Sequence, residues 1–514
     1  MRKTVFALLS GLMIATGLFA QKTEGEFISL REKYTIGDDG SVVYKYHKEL
    51  KVNTFYSIHN LYGETFIVYN PDYQTLTIDG CHTVQADQTM VPLPPNALNE
   101  VLPSAAADAP AYNHLKEMVV THTGLEPGAI ISLDYTITTK PGFPGSGDIF
   151  RRFNEVSPIR DYTLVIEVPA GKELVVSQSL GAKMTKSADG REYTFKASGI
   201  PARLNEIYAP VDDVPYIYAS VNPGEGAKAV FNLPKEDMSS LASKICEGKT
   251  GDAEKMDAIS MWVARNLGLC ALPLNQAGKV RKPSEVVASA YGTFEEKAAL
   301  MLSLASAAGV KAEPVAIFAP TCPPCLQTLS GAMWIKASDK YYSAAGGFSQ
   351  PVANLKGRFQ ALSPSGTVSV PEAFTEVKID ETVSLDPKNA TQAGDYLVFK
   401  LPVAREGLDA SGVRSLNSSR SYPIELPFKL DESVTYRIEA PEGGTIVSVP
   451  FEKTLSSPAG SVKVKLTVNG GTAVYTREAK IVKTIVPVKE YASLRAMFNL
   501  YKDDAYRTIV VKKY

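Results

Sequence analysis

The sequence predicts a multidomain α+β protein with an N-terminal antiparallel β-sandwich, a central α+β core and a C-terminal β domain. Two changes in hydrophobic period carry this prediction. Apolar and polar residues alternate up to about residue 236, apolar residues recur every three to four positions from about residue 237, and alternation returns from about residue 370. We place the three domains at 21–236, 237–355 and 365–514.

The N-terminal alternation is clearest at 42–46, 130–135 and 162–168. Glycine, proline and asparagine separate these short segments, which is typical of antiparallel strands joined by turns. The pattern favours a β-sandwich over a helical domain.

The central period predicts three amphipathic helices, at 238–245, 256–267 and 294–308. The third helix is expected to stop at Gly309, because glycine readily takes the left-handed conformation that ends a helix. We expect strands at 312–318 and within 332–343.

Apolar and polar residues alternate again in the C-terminal domain, which predicts strands at 395–401 and 462–468. A short helix is expected at 488–501, followed by a last strand at 506–512.

The first 20 residues have the composition of a cleavable export signal. Arg2 and Lys3 precede an apolar run at 5–19, and Ala20 offers a small residue at the cleavage point. This run is too short to span a bilayer, and no later segment is long enough. We therefore expect export to the periplasm or cell surface without a transmembrane segment.

The charge balance gives no reason to expect binding to nucleic acid or to an anionic membrane. The chain has 54 basic and 55 acidic residues, for a formal net charge of -1. Its five cysteines are too few for a disulfide scaffold in a chain of 514 residues. Cys322 and Cys325 are a candidate local disulfide in an oxidising compartment, with idle thiols as the alternative.

A capping box is predicted at the start of the third central helix. Thr293 can accept from the backbone N–H of Glu296, whose side chain can reach back to the Thr293 N–H. Phe294 is then the first helical residue, where a helix N-terminus would stabilise a thiolate.

The segment around this box, 284–312, resembles the active-site segment of secreted bacterial transglutaminase-like proteins. Their pattern is roughly Tyr-Gly-Asp-Cys-Lys-Asp-Lys-Ala, and the matching residues here are Tyr-Gly-Thr-Phe-Glu-Glu-Lys-Ala at 291–298. Motifs at 70–73, 99–103 and 109–113 are similar to the β domain of unknown function that precedes such cores. The resemblance implies a papain-like cysteine-enzyme core between two β domains.

The same resemblance implies that the catalytic triad is degenerate. Phe294 stands in the place of the nucleophilic cysteine, Ala332 in that of the histidine and Ala345 in that of the aspartate. A phenyl ring cannot attack an acyl carbon. We therefore expect no catalytic residue at these positions.

The distribution of histidines supports this expectation without an alignment. All five histidines lie at or before His122, so residues 123–514 contain none. A cysteine nucleophile of this type normally needs a histidine base, and no such pair can form within the central domain.

Other candidate sites have simpler explanations. The Cys322/Cys325 pair lacks the fold of a redox protein, and Cys270 and Cys322 lack a histidine in their own domain to serve as relocated nucleophiles. Glu295 and Glu296 suit the positive end of a helix without any chemistry. We predict no metal site and no cofactor.

The sequence thus predicts an exported, non-catalytic transglutaminase-like protein, a pseudoenzyme that binds or assembles with a peptide, glycan or protein partner. The alternative is a residual cysteine-type peptidase or acyl transferase with a relocated nucleophile. A redox role for Cys322 and Cys325 is a third alternative.

Overall fold

The computed structural model describes residues 23–210, 213–319, 321–331, 333–338, 340–345, 349–351, 360–369, 374–404, 407–410, 416–426 and 429–513. The predicted export signal at 1–20 and the predicted triad position Ala332 lie outside the described residues.

The N-terminal region is built on an eight-stranded sheet, as far as the chain is described. Alternating buried and exposed positions, as in the strand at 159–167, explain why the sequence pattern has a period of two here. Neighbouring strands are antiparallel, except that residues 25–36 run parallel to 159–167. From edge to edge the strands are β12 (Lys183–Lys186), β13 (Glu192–Ile200), β10 (Ile159–Glu167), β1 (Gly25–Ile36), β2 (Val42–Val52), β8 (Ile130–Thr139), β4 (Gln74–Val84) and β5 (Met90–Pro92).

Two three-stranded sheets cover one face of this large sheet. Ile131 and Leu133 lie two apart on β8 and therefore point to the same face. Ile131 packs in a cluster with Ile217 of one small sheet, and Leu133 packs with Val120 of the other, which gives a two-layer β structure. The strands of the small sheets are β11 (Val175–Gln178), β14 (Tyr216–Ser220) and β9 (Asp148–Arg152), and β3 (Glu64–Tyr69), β7 (Lys116–Thr121) and β6 (Leu98–Val101).

Short helical turns connect several of these strands. A π-helical segment spans Ser57–Tyr62. Three 3₁₀ turns follow at Pro95–Ala97, Ser104–Ala106 and Pro110–Tyr112. The last of these turns carries Tyr112 into contact with the central region, as described below.

Helices dominate the first part of the central region, as its period predicts. The last long helix of this region ends beside Gly309, which has a positive φ of 74° and provides the predicted left-handed cap. The described helices are α1 (Glu225–Val230), α2 (Ser239–Ile245), α3 (Asp252–Asn266), α4 (Leu274–Ala277), α5 (Pro283–Ser289), α6 (Phe294–Ala307) and α7 (Leu326–Leu329).

A six-stranded antiparallel sheet packs against these helices in the part of the chain that is described. The segment predicted as strand at 332–343 is divided into two strands, because the chain turns at Ser338, where φ is 54°. A two-stranded parallel ladder joins β15 (Gly268–Leu269) to β16 (Tyr291–Gly292). Across the larger sheet the strands are β20 (Ser349–Pro351), β19 (Lys340–Ser343), β18 (Met333–Ala337), β17 (Ala312–Phe318), β21 (Gln360–Ser363) and β22 (Gly366–Ser369).

The packed central unit is wider than the predicted 237–355. Ala227 and Val230 of α1 belong to its hydrophobic cluster, and β21 pairs with β17 after residue 355. These pieces are only four to six residues long, which is too short for a clear hydrophobic period.

The C-terminal region is a second β structure. Most of its described strands form a five-stranded and a four-stranded sheet, and a two-stranded ladder joins β26 (Ile424–Glu425) to β32 (Ile485–Val486). The five-stranded sheet contains β23 (Phe374–Ser384), β27 (Lys429–Glu439), β31 (Thr472–Ile481), β30 (Gly460–Asn469) and β29 (Phe451–Ser457). The four-stranded sheet contains β24 (Thr391–Ala393), β25 (Tyr396–Lys400), β33 (Thr508–Lys512) and β28 (Thr445–Ile446).

The described part of this region also contains two α-helices, α8 (Gly407–Ala410) and α9 (Val488–Lys502), and 3₁₀ turns at Pro387–Asn389 and Asp504–Arg507. Leu494 and Phe498 of α9 pack on Val464 of the five-stranded sheet. Val434, on the same sheet, packs against Ile509 of the four-stranded sheet. The predicted helix at 488–501 is therefore amphipathic and packs its apolar face on the five-stranded sheet.

Candidate functional site

The helix α6 begins at the predicted capping box. Thr293 Oγ1 accepts from the Glu296 N–H at 3.3 Å, and Glu296 Oε2 accepts from the Thr293 N–H at 2.9 Å. Both hydrogen bonds of the box are therefore present. They place Phe294 at the first helical position, as predicted.

Phe294 is half-buried and packs against the hydrophobic cluster of the central region. Its ring lies beside Gly331, where a Cβ would stand 3.7 Å from Phe294 Cδ2. Gly331 has a φ of 79°, which disfavours a larger residue at this position. The phenyl ring thus occupies the helix N-terminus as a packing group.

Glu295 connects the same helix to the turn before β18. Only 1 % of its surface is exposed. Its Oε1 accepts from Ser330 Oγ at 2.9 Å and from the Gly331 N–H at 3.1 Å. Its carboxylate is therefore engaged in positioning the turn.

Glu296 forms a buried ion pair with Arg281. Arg281 Nε donates to Glu296 Oε1 at 2.8 Å, and Nη2 donates to Oε2 at 2.9 Å. The Tyr112 hydroxyl also donates to Glu296, which links the N-terminal region to the central one. Burial raises the pKa of Glu296, but hydrogen bonds from Arg281, Tyr112 and Thr293 outweigh it, so the net shift is downward.

Lys297 is also buried, with 1 % of its surface exposed. Its Nζ donates to the Leu267 carbonyl oxygen at 3.2 Å and to the Ala345 carbonyl oxygen at 2.8 Å. Burial lowers the pKa of Lys297 from 10.5 to about 8, because the charged ammonium group loses its hydration.

The first turn of α6 therefore contains one predicted triad position and contacts the segments that carry the other two. Phe294 starts the turn, Glu295 binds Gly331, which precedes Ala332, and Lys297 binds Ala345. Ala332 itself lies outside the described residues. Phenyl and methyl side chains at Phe294 and Ala345 supply neither a nucleophile nor an acid or base.

Cys322 and Cys325 are both buried free thiols in the structure. Arg152 Nη2 lies 3.7 Å from Cys322 Sγ. Burial raises the pKa of Cys325 to about 11, although hydrogen bonds with Thr328 oppose the shift. A thiol of that pKa is a poor redox nucleophile. The local disulfide between the two residues stays a prediction.

The other predicted candidate thiol, Cys270, is buried and donates to the Ala105 carbonyl oxygen at 3.4 Å. Burial raises its pKa, so its environment favours the unreactive thiol. Cys270 lies next to the start of α6, because its N–H donates to the Gly292 carbonyl oxygen at 2.9 Å, two residues before Phe294.

One contact that sequence reasoning missed joins Cys81 to His122. Cys81 Sγ lies 3.5 Å from His122 Nδ1, and Thr65 Oγ1 lies 2.8 Å from the other ring nitrogen. Lys48 Nζ donates to Thr65 Oγ1 at 2.7 Å. The four residues come from separate elements, so only strand pairing brings them together.

The electrostatics of this contact oppose a thiolate–imidazolium pair. Burial raises the pKa of Cys81 to about 11, and burial together with Lys48 lowers that of His122 to about 3. Burial also lowers the pKa of Lys48 to about 8. Cys81 is therefore a neutral thiol beside a neutral imidazole at pH 7.

Within the described ranges, no three His, Cys, Asp or Glu side chains gather as metal ligands. No helix in the described part of the chain is long and apolar enough to cross a membrane.

Two domain families match the chain. Residues 38–203 match DUF3857 and residues 395–511 match DUF3858, each described as a domain of unknown function with a solved structure. The fold and these two matches define a multidomain protein of the DUF3857–DUF3858 class. No curated protein matches the chain.

The chain is 32 % identical to a crystal structure from Parabacteroides distasonis described as a putative protease, with a TM-score of 0.83. The match covers 95 % of this chain and 99 % of that one. The chain therefore belongs to the same family as the Parabacteroides distasonis protein.

A second solved structure, described as a putative cysteine protease from Cytophaga hutchinsonii, is 13 % identical. The match covers 44 % of this chain and 78 % of that one, with a TM-score of 0.19.

Proposed function

We propose that the chain is an exported, non-catalytic relative of transglutaminase-like cysteine enzymes that binds a peptide, glycan or protein partner. The observation that carries the proposal is Phe294 at the first position of α6, where such an enzyme would present its nucleophile. The central unit is then a papain-like α+β core between two β domains.

The contacts of the first helical turn support this alignment. The family pattern has Lys-Asp-Lys after the nucleophile, and Glu295, Glu296 and Lys297 follow Phe294 here. All three side chains are buried and bind neighbouring segments of the core. These contacts hold the first turn of α6 in place, and none of them needs a nucleophile at the first helical position.

The loss of chemistry has three independent supports. Phe294 and Ala345 have no ionisable group, and no histidine follows His122 in the sequence. The thiols Cys270 and Cys325 have raised pKa values because they are buried. None of these groups would generate a thiolate with an adjacent base near pH 7.

A partner-binding role is what remains if the core keeps the contacts that shape the site but lacks the catalytic groups. Export through the signal at 1–20 would place the protein in the periplasm or at the cell surface, where peptides, glycans and other proteins are available partners. A folded relative of an enzyme that keeps its architecture without catalysis can still offer its surfaces for binding.

The test is reaction of the full chain with a peptide chloromethyl ketone, followed by mass spectrometry of each cysteine. The proposal predicts slow, substoichiometric modification without preference for one thiol. Rapid stoichiometric modification of a single cysteine, suppressed by a competing peptide substrate, would overturn it.

A second candidate function is a cysteine-type peptidase or acyl transferase with a relocated nucleophile. The 32 % identical relative, described as a putative protease, favours it. Cys81 and His122 are the contacting thiol and imidazole that would serve, although burial keeps both of them neutral at pH 7. In this case hydrolysis of a general protease substrate such as casein would be lost in both Cys81→Ala and His122→Gln, whereas Cys246→Ala would retain it.

A further inference from the structure

A tight turn that follows the N-terminal β region contacts a loop of the C-terminal β region. The turn spans 206–209, because the Ala209 N–H donates to the Glu206 carbonyl oxygen at 3.1 Å. The loop is the described segment 416–426, which contains β26. Glu206 and Ser421 are 215 positions apart in the sequence, so this contact joins two distant parts of the chain.

The loop surrounds the Glu206 carboxylate with donors. The Ser421 N–H donates to Oε1 at 2.7 Å, and the Tyr422 N–H donates to Oε2 at 3.1 Å. Arg420 Nε lies 3.5 Å from Oε2. Only 8 % of the Glu206 side chain and 1 % of the Arg420 side chain are exposed, so the ion pair is shielded from water. Charge-assisted hydrogen bonds to a carboxylate are roughly twice as strong as neutral ones.

The same loop binds the backbone of the turn. Arg420 Nη1 donates to the Ile207 carbonyl oxygen at 2.7 Å, and the Glu425 N–H donates to the Tyr208 carbonyl oxygen at 2.7 Å. The Tyr208 side chain packs on the hydrophobic cluster that α9 forms with the five-stranded sheet. The loop therefore contacts a carboxylate, two backbone carbonyl groups and a side chain of one short segment, as a peptide-binding domain does with its ligand.

Tyr208 has a backbone conformation that its contacts with the loop help to impose. Its φ of 62° lies in the left-handed region, which bulky residues rarely adopt. Such a conformation persists where the surrounding structure determines it. The loop binds the carbonyl groups of Ile207 and Tyr208, so we expect the turn to relax when the two segments separate.

The loop is also held by its own region. The Tyr491 hydroxyl of α9 donates to the Asn417 carbonyl oxygen at 2.7 Å, and the Arg420 guanidinium lies 5.4 Å from the Tyr491 ring centroid. Arg420 Nε and Nη2 donate to the carbonyl oxygens of Tyr422 and Pro423 at 3.1 and 3.2 Å. These contacts orient the guanidinium, so the site should keep its shape when the turn leaves.

A second arginine fixes the turn to the N-terminal region. The Arg203 N–H donates to the Glu155 carbonyl oxygen at 2.8 Å, and Arg203 Nη1 donates to the Asp213 carbonyl oxygen at 3.0 Å. The Arg203 guanidinium also lies 4.2 Å from the Tyr422 ring centroid, and the Tyr422 hydroxyl donates to the Ala202 carbonyl oxygen at 3.3 Å. The turn thus belongs to one β region and is bound by the other.

We propose that the loop 416–426 is a binding site for a peptide turn that presents a glutamate side chain, and that the turn 206–209 of the same chain fills this site as a latch between the two β regions. Polar contacts carried by a short segment allow domains to move apart more readily than a large apolar interface does. The latch is separate from the first turn of α6 and does not depend on the proposed loss of catalysis.

Hydrogen–deuterium exchange of the full chain tests the latch, because backbone N–H groups of the loop are bonded to the turn. Glu206→Gln keeps the size of the side chain and removes its charge, so peptides that cover 418–426 should exchange about tenfold faster while those of β30 keep the wild-type rate. Glu247→Gln, at an exposed position of the central region, is the matched control and should change neither. Unchanged exchange of 418–426 in Glu206→Gln, or an equal acceleration in β30, would overturn the latch.

A peptide added in trans tests the recognition itself. The acetylated and amidated peptide of residues 202–209, at millimolar concentration, should restore slow exchange of 418–426 in Glu206→Ala, because the site is then free of its own glutamate. The same peptide with glutamine in place of its glutamate should need about a tenfold higher concentration for the same protection. Equal protection by the two peptides, or protection by neither, would show that the loop is not a binding site for this turn.

Discussion

Lys297 Nζ donates a 2.8 Å hydrogen bond to the carbonyl oxygen of Ala345, and so ties the first turn of α6 to the segment after β19. These two residues are 48 positions apart in the sequence. The bond joins the helical turn that starts at Phe294, the predicted nucleophile position, to Ala345, the predicted aspartate position. The ammonium group of Lys297 is therefore used in a contact with the backbone.

The buried Lys297 predicts a pH-dependent stability. Its pKa is lowered from 10.5 to about 8, so between these values the unfolded chain binds a proton that the folded chain has released. The free energy of unfolding contributed by this group therefore rises with pH in that window, by roughly 3 kcal/mol over the whole shift. Urea unfolding of the wild type and of Lys297→Met at pH 7, 8, 9 and 10 measures the difference.

Comparison with the variant cancels the titration of tyrosines and cysteines that both proteins share. The free energy of the wild type minus that of Lys297→Met should rise from about pH 8 upward. Lys453→Met, at an exposed position of β29, is the matched control. If the difference in unfolding free energy between the wild type and Lys297→Met is the same at every pH in this range, folding does not lower the pKa of Lys297.

The Arg281–Glu296 pair predicts a large loss of stability when one partner is removed. Arg281→Met leaves the Glu296 carboxylate buried without its cation, which costs about 3 to 5 kcal/mol of unfolding free energy. Tyr112→Phe removes one hydrogen bond to the same carboxylate and costs about 1 to 3 kcal/mol. Denaturant unfolding measures both changes.

An exposed ion pair provides the control for this experiment. Arg437→Met breaks the contact with Asp380, in which both side chains are at least half exposed, and should cost under about 1 kcal/mol. Equal losses for Arg281→Met and Arg437→Met would contradict a structural role for the buried pair.

Thiol reactivity gives a third prediction. Burial raises the pKa of Cys325 from 9.0 to about 11, so its thiolate fraction at pH 8 falls about a hundredfold. Alkylation by iodoacetamide should therefore be at least that much slower in the folded chain than in 6 M guanidinium, as followed by mass spectrometry. Fast alkylation of Cys325 in the folded chain would revive the redox alternative for the Cys322/Cys325 pair.

A fourth prediction concerns the helix N-terminus itself. The thiol introduced by Phe294→Cys should alkylate faster than Cys325, because the positive end of α6 stabilises a thiolate. It should still turn over no acyl substrate, since no histidine follows His122. Phe294→Ala separates the loss of the ring from the gain of the thiol. Turnover by Phe294→Cys would show that another base serves the site.

Local sequence rules predicted the elements that form the candidate site. The Thr293 capping box and the stop at Gly309 depend on neighbouring residues, so their sequence signals were sufficient. The strand at 312–318 was likewise predicted with its observed ends. These features depend on few long-range contacts.

Features that depend on long-range pairing were missed. The parallel pairing of β1 with β10 joins residues more than a hundred positions apart, and no local pattern specifies it. The contact between Cys81 and His122 requires two sheets to stack. The break at Ser338 was hidden because apolar residues on both sides of it share one alternation.

We propose that no cysteine of this chain acts as an acyl-transfer nucleophile. The most direct measurement is turnover of a glutamine-containing peptide, as ammonia release and as peptide cleavage, by the full chain and by five variants that each replace one cysteine with alanine. We expect rates equal to that of the buffer for all six proteins. Turnover by the wild type that one substitution abolishes and the other four retain would contradict it.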